Sequence, residues 1–202
     1  MSIDMALVRD RLSYQGISLG MVALVTSAAL VIANGLTREP IAQAEARDLQ
    51  ASLSQVLPDG FADNDMLKDT LEINQVTVYR ARKAGAVTGA VFRMANRGYA
   101  GDIVVLMGVD AKGVLTGARV LKHQETPGLG DKIETAKTDW INGFAGESLE
   151  NPPPEKWAVK KDGGIFDQFA GATITPRAVV KSVKQGLDFF AAHRKEIVGD
   201  GA

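Results

Sequence analysis

The stretch Asp167-Gln168-Phe169-Ala170-Gly171-Ala172-Thr173-Ile174-Thr175-Pro176 holds the residues best placed for chemistry. Gly171 and Ala172 have minimal side chains, so a bulky group can approach the backbone there. Thr175 suits an N-cap and Pro176 a first helical residue. Thr173 then lies just ahead of a helix N-terminus. Unpaired N–H groups and the positive end of the helix dipole stabilise an anion at such a place. A phosphate on the Thr173 hydroxyl is therefore electrostatically favoured. An ordinary loop ahead of a capped helix would carry the same residues, so the segment alone permits a phosphate without requiring one.

A second polar segment, His123-Gln124-Glu125-Thr126-Pro127-Gly128-Leu129-Gly130-Asp131-Lys132, follows a β-branched run. Pro127-Gly128 fits the central positions of a type II turn. Polar side chains on such a loop suit ligand binding, and an exposed turn with solvated charges is the plain alternative. His123 reads as a surface histidine. His193 falls in the last turn of a helix, where a cation suits the dipole. Tyr99 can stack on a flat ligand, although core packing is the commoner role for a tyrosine.

The elements that must position these segments are readable by pattern. Val76–Tyr79 and Val87–Met94 flank Lys83-Ala84-Gly85-Ala86 as a hairpin. Ile103–Val109 and Val114–Leu121 flank the turn Asp110–Gly113 as a second pair. A short helix is expected around Thr138–Phe144 and a strand at Trp157–Val159, with a turn at Asp162-Gly163-Gly164. The last helix is expected from Pro176 to about Arg194, with Val179, Val180, Val183, Leu187 and Phe190 on one face. The order points to an α+β domain with an antiparallel sheet and flanking helices.

Ahead of this domain, Leu12 to Thr37 carries no charge. A bilayer core needs about 20 helical residues, and this run suffices. A buried soluble helix would show a polar face. A cleaved signal peptide would draw support from Ala42-Gln43-Ala44, but the run exceeds the usual apolar length and Arg38 and Glu39 intervene. A retained single-pass helix is the expectation. Arg9 and Arg11 before it and Arg38 and Arg47 after it leave the positive-inside count near a tie. The expected organisation is 1–37 as tail and transmembrane segment, 38–66 as a connector whose helix carries Pro40 near its start, and 67–202 as the folded domain.

Composition narrows the chemistry. The 202 residues are 46% hydrophobic and 23% charged, with a net charge of −1. No basic stripe with interleaved aromatics stands out, so nucleic acid is not an expected partner. With no cysteine, the chain has no thiolate zinc site, Cys-held iron–sulfur cluster or c-type haem attachment. With only two histidines, no metal site is expected. Electron transfer through this chain would need an organic cofactor.

Taken together, the apolar run, Thr37-Arg38-Glu39-Pro40, Gly98-Tyr99-Ala100-Gly101, Glu125–Gly130 and the terminal Gly171-Ala172-Thr173 helix start resemble the RnfG (or RsxG) family of Rnf electron-transport complexes. That family is related to NqrC of the Na+-translocating NADH:quinone reductase. Its flavin-attachment pattern is Asp, three variable residues, then Gly-Ala-Thr or Gly-Ala-Ser. Here Asp167 opens the pattern and Thr173 ends it. The position before the glycine, often Ser or Thr, is Ala170, which leaves the acceptor in place.

The resemblance implies FMN joined by its phosphate to Thr173, within a pocket that includes Asp167, Gly171, Ala172, Glu125, Thr126, Leu129 and Gly130. It implies no catalytic residue of the chain's own. It implies a domain on the periplasmic side of the bacterial inner membrane, matured by a flavin transferase that takes FMN from FAD. The partners implied are the other membrane and iron–sulfur subunits of an ion-translocating ferredoxin:NAD oxidoreductase. The isolated chain would be an electron carrier. A structural or assembly subunit without flavin, and a reductase with noncovalent FMN, are the competing readings.

Overall fold

The structure, a computed structural model, describes residues 12–199. Arg9 and Arg11, with the rest of the N-terminal tail, lie outside the described residues. The chain falls into two compact units that divide between Asp48 and Leu49.

Most of the first unit is α1, Leu12–Gln55, a single helix of 44 residues that continues into the second unit. Tyr14–Ile41 within it is long and apolar enough to cross a membrane, with mean hydropathy 2.2. Two of its hydroxyls bond back to the same helix: Thr26 Oγ1 donates to Val22 O at 2.8 Å and Thr37 Oγ1 to Ala33 O at 2.8 Å. A polar side chain satisfied in this way suits an apolar surround. The expected separate connector helix is a continuation of the same helix, and Pro40 lies inside it. A proline in a helix interior costs about 3 kcal/mol. Ending one helix and nucleating another is also unfavourable, and good helix formers stand on both sides of Pro40.

The second unit is built on a five-stranded antiparallel meander in the order β1-β2-β3-β4-β5. The strands are β1 (Thr70–Ile73), β2 (Val76–Lys83), β3 (Ala86–Arg97), β4 (Asp102–Asp110) and β5 (Leu115–Lys122). Ala84 and Gly85 both have positive φ, 51° and 84°, as a two-residue hairpin turn requires. At the β4–β5 turn, Asp110 Oδ1 accepts from the N–H groups of Lys112 (2.8 Å) and Val114 (2.9 Å).

Alternation along the strands gives the sheet two apolar faces. Val78, Phe92, Met107 and Ala118 form one cross-strand row. They share a core with Val179, Val183, Leu187 and Phe190 of α2, Ile174–Val198. The apolar stripe expected on the last helix is buried throughout. Tyr79, Val91 and Leu106 pack on the other side with Leu53 and Val56, at and just past the end of α1.

Glycines set how closely these layers approach. A Cβ on Gly186 of α2 would run into Met107 Sδ. Gly108 and Gly117 are paired across β4 and β5, and the backbone of Val56 rests on them. A Cβ on Gly108 would stand 2.6 Å from Val56 O, which also accepts from Thr116 Oγ1 at 2.7 Å. Gly108→Val is expected to destabilise the domain by about 1–3 kcal/mol through overpacking. A lowered Tm in a thermal melt would register it.

Three local expectations change. Trp157–Val159 is not a strand; only an isolated bridge joins Val159 to Phe166, between 3-10 turns at Pro154–Lys156 and Lys160–Asp162. Its backbone groups bond locally, with Ala158 N–H donating to Lys156 O at 2.8 Å. The short helix near Thr138–Phe144 is a 3-10 turn, Trp140–Phe144. Strand β1 was not expected, because its turn to β2, Asn74-Gln75, takes positive φ without a glycine.

Candidate functional site

Two tight turns meet at the start of α2. In Thr126–Leu129, Leu129 N–H donates to Thr126 O at 3.1 Å, and Gly128 has φ 79°. These are the marks of a type II turn with Gly in its third position. Gly130 N–H reaches the same carbonyl at 3.0 Å. In Phe169–Ala172, Ala172 N–H donates to Phe169 O at 3.1 Å, and Gly171 has φ 81°. A Cβ on Gly171 would lie 3.5 Å from Leu129 Cδ2, so the turns meet where one of them has no side chain.

Between them is a cavity of about 300 Å³. Thr126, Leu129 and Gly130 form one wall, and Gly171, Ala172 and Thr173 another. Ile174 and Thr175 of α2 join them, with Tyr99 and Glu125. The structure thus brings seven of the eight expected site residues to one cavity. The eighth, Asp167, is not on its wall. Its carboxylate pairs with Lys160 at 2.6 Å, and its carbonyl accepts from Trp140 Nε1 at 2.9 Å.

Thr173 occupies the N-cap position of α2 with φ −76° and ψ −20°, and its side chain makes no capping bond. Thr175, expected to be the N-cap, is instead inside the helix. It is 1% exposed, and its hydroxyl donates to Glu125 Oε2. Pro176 is correspondingly the third helical residue rather than the first. The helix begins earlier because Thr173 already has helical dihedrals.

Glu125 is 5% exposed, and Oε1 accepts from Ala100 N–H at 3.0 Å. Its own N–H donates to His123 Nδ1 at 3.2 Å. With Nδ1 accepting, Nε2 is the protonated nitrogen, and it faces Glu134 Oε1 at 2.9 Å. His123 orders the loop and does not line the cavity. His193 is remote from it, against Phe189 and Asn74. Among the described residues no cluster of His, Cys, Asp and Glu could hold a metal ion.

Asp131 closes the loop from below. The Gly128 N–H holds its carboxyl below the ordinary range; burial opposes this and Lys137 assists it. A carboxyl with a lowered folded pKa stabilises the fold above its unfolded value, and the contribution is lost as pH falls through the folded one. Asp131→Asn should therefore lower stability at neutral pH. The difference from the parent should begin to shrink as pH falls below about 4 and vanish only once pH is below the lowered folded value, as pH-dependent urea melts would record.

Sequence reasoning underrated Tyr99. It is 69% exposed on the cavity rim rather than packed in the core. Ile174 and Thr175 were also not expected on the wall. Among the described residues of the second unit, the exposed large hydrophobics are Tyr99, Leu129, Ile165 and Ile174, and all but Ile165 line this cavity. An apolar rim around a polar floor is typical of a small-molecule site.

Comparison with known proteins supplies a family context. Residues 98–188 match the FMN-binding domain family. Residues 5–56 match the RnfG N-terminal region. The G subunit of the ion-translocating oxidoreductase complex of Cereibacter sphaeroides is 52% identical over 188 residues, covering 91% of this chain and 86% of that protein. Its counterpart from the Stutzerimonas stutzeri complex is 50% identical over 188 residues, covering 91% and 82%. Among solved structures, Shewanella oneidensis NqrC aligns with a TM-score of 0.49 at 23% identity, covering 70% of this chain and 67% of that one.

Proposed function

The chain belongs to the RnfG family of ion-translocating oxidoreductase complexes, and from that premise we propose that it is a covalent flavin carrier, with FMN joined through its phosphate to Thr173 Oγ1. It is an FMN-binding, electron-transfer subunit of a membrane-bound complex. The covalent bond and the site residues are the added step.

The observation that carries this step is the state of Thr173. It stands at an N-cap position, yet its hydroxyl is not used as a cap, and it lines a cavity rimmed by exposed apolar side chains. The residues present fit the group. The α2 N-terminus favours a phosphate charge at this position. Tyr99, Leu129 and Ile174 offer apolar surface to a flat ring system, and Gly171 leaves room for the backbone to approach it. When bound, FMN supplies the capacity to accept and release electrons. The chain's own residues orient it and keep part of it from water.

Attachment balances as a phosphoryl transfer from FAD on a separate flavin transferase. Thr173 Oγ bonds to the phosphorus bearing the riboflavin half. The bond from that phosphorus to the bridging oxygen breaks, AMP leaves, and the hydroxyl proton is released. Tyr14–Ile41 would span the inner membrane and hold the domain on the periplasmic side. Electrons would pass between this site and the iron–sulfur and membrane subunits of a ferredoxin:NAD oxidoreductase.

The test is the intact mass of the full chain, purified from cells that also make the transferase. It should exceed the sequence mass by one FMN less one water, and its band on a denaturing gel should fluoresce. A colourless, unmodified chain from such cells would favour an assembly role. Flavin released by acid precipitation would favour a noncovalent site.

A further inference from the structure

Glu125 is a buried acid without a counter-charge. The neighbouring acids have partners: Asp131 pairs with Lys137 at 3.6 Å, and Glu134 accepts a hydrogen bond from His123 Nε2 at 2.9 Å. Glu125 is 5% exposed, and no basic side chain pairs with it among the described residues. It accepts only neutral hydrogen bonds, from Ala100 N–H and the Thr175 hydroxyl. A buried charge held by neutral donors is costly compared with an apolar side chain, so its presence at this place needs a reason.

The surroundings are shaped for it. A Cβ on Gly98 would come within 2.6 Å of Glu125 Oε1. A Cβ on Gly130 would come within 2.8 Å of Glu125 Cβ and 2.9 Å of Thr175 Oγ1. The carboxylate therefore joins the Gly98–Gly101 turn, the Thr126–Gly130 loop and the first turn of α2. It also lines the cavity that Thr173 lines.

We propose that Glu125 sets the electron affinity of the cofactor site, as a fixed negative charge that disfavours electron uptake in this cavity. The inference rests on the flavin reading above. Electron uptake brings negative charge into the cavity, and a like charge nearby opposes it. The opposition is strong because burial limits both the local dielectric response and screening by salt. On this basis the residue positions the walls through its hydrogen bonds and lowers the midpoint potential through its charge.

The test compares the full chain with Glu125→Gln and Glu125→Asp, each made in cells with the transferase. Intact mass first reports whether covalent FMN is present, which judges the flavin reading separately. Potentiometric titration of the flavin absorbance then gives the midpoint potential. The glutamine variant should load and titrate at a higher potential than the parent, and the aspartate variant should stay near the parent. An unchanged or lowered potential in loaded Glu125→Gln overturns the proposal, as does equal movement in both variants. So does a folded Glu125→Gln that carries no FMN. If Glu125→Gln does not fold, Thr126→Lys adds an opposing charge on the exposed rim. It must also raise the potential, and no rise overturns the proposal.

Discussion

Thr173→Val is expected to yield a folded chain with no covalent flavin, whereas Thr173→Ser should retain it. Valine keeps the shape of threonine and removes the single atom that would bond to phosphorus. Losing a threonine cap commonly costs about 1 kcal/mol. Here the Thr173 side chain makes no capping bond, so the change in stability should stay within about 0.5 kcal/mol. The two measurements separate chemistry from folding: intact mass should lose the whole FMN increment, and the thermal melt of the flavin-free protein should scarcely move. A valine variant that keeps flavin through denaturation places the bond on another side chain. A valine variant that melts far lower shows that the hydroxyl has a structural partner.

Local rules made much of this fold readable in the sequence. The β2–β3 and β4–β5 pairs follow from alternation around Ala84-Gly85 and Asp110–Gly113, whereas the bulges that shift their registers, at Ala81/Arg82 and at Val104/Val105 and Gly108/Val109, do not. The buried stripe on α2 follows from helical spacing. The type II turn at Pro127-Gly128 follows from the φ preferences of those two residues. The juxtaposition of Glu125–Gly130 with Gly171–Thr173 was of a different kind. It came from family resemblance, since nothing in periodicity brings together segments so distant in the chain.

What local rules miss here are contacts distant in sequence. The Thr175 hydroxyl looks like a cap until Glu125 is seen to occupy it. Tyr99 looks like a core residue until the turn from Gly98 to Gly101 is seen to turn it outward. Pro40 looks like a helix start because the local rule does not weigh the cost of a second nucleation. Trp157–Val159 reads as a strand by composition, yet its apolar side chains belong to an aromatic cluster and not to a ladder.

That cluster gives the largest expected loss of stability. Phe144 is fully buried, stacks on Phe166 at 4.4 Å and meets Trp140 edge-on at 5.2 Å. Trp140 continues the contact to Phe169 at 5.1 Å, and its Nε1–H holds the Asp167 carbonyl. Phe169 opens the turn that delivers Gly171, Ala172 and Thr173 to the cavity. The aromatic column is thus the support beneath the candidate attachment site. Phe144→Ala removes its centre and should cost about 3–5 kcal/mol, a large share of the roughly 5–15 kcal/mol that stabilises a domain. Urea unfolding should show a much lower midpoint at an unchanged slope, and Phe144→Leu should recover part of the loss. Because no atom of Phe144 lines the cavity, covalent FMN should still form at low growth temperature and fall away as the domain melts. A variant of full stability would show that the column carries no load. A stable variant that still fails to take flavin would show that Phe144 sets the geometry of the Phe169–Ala172 turn and not only the stability of the domain.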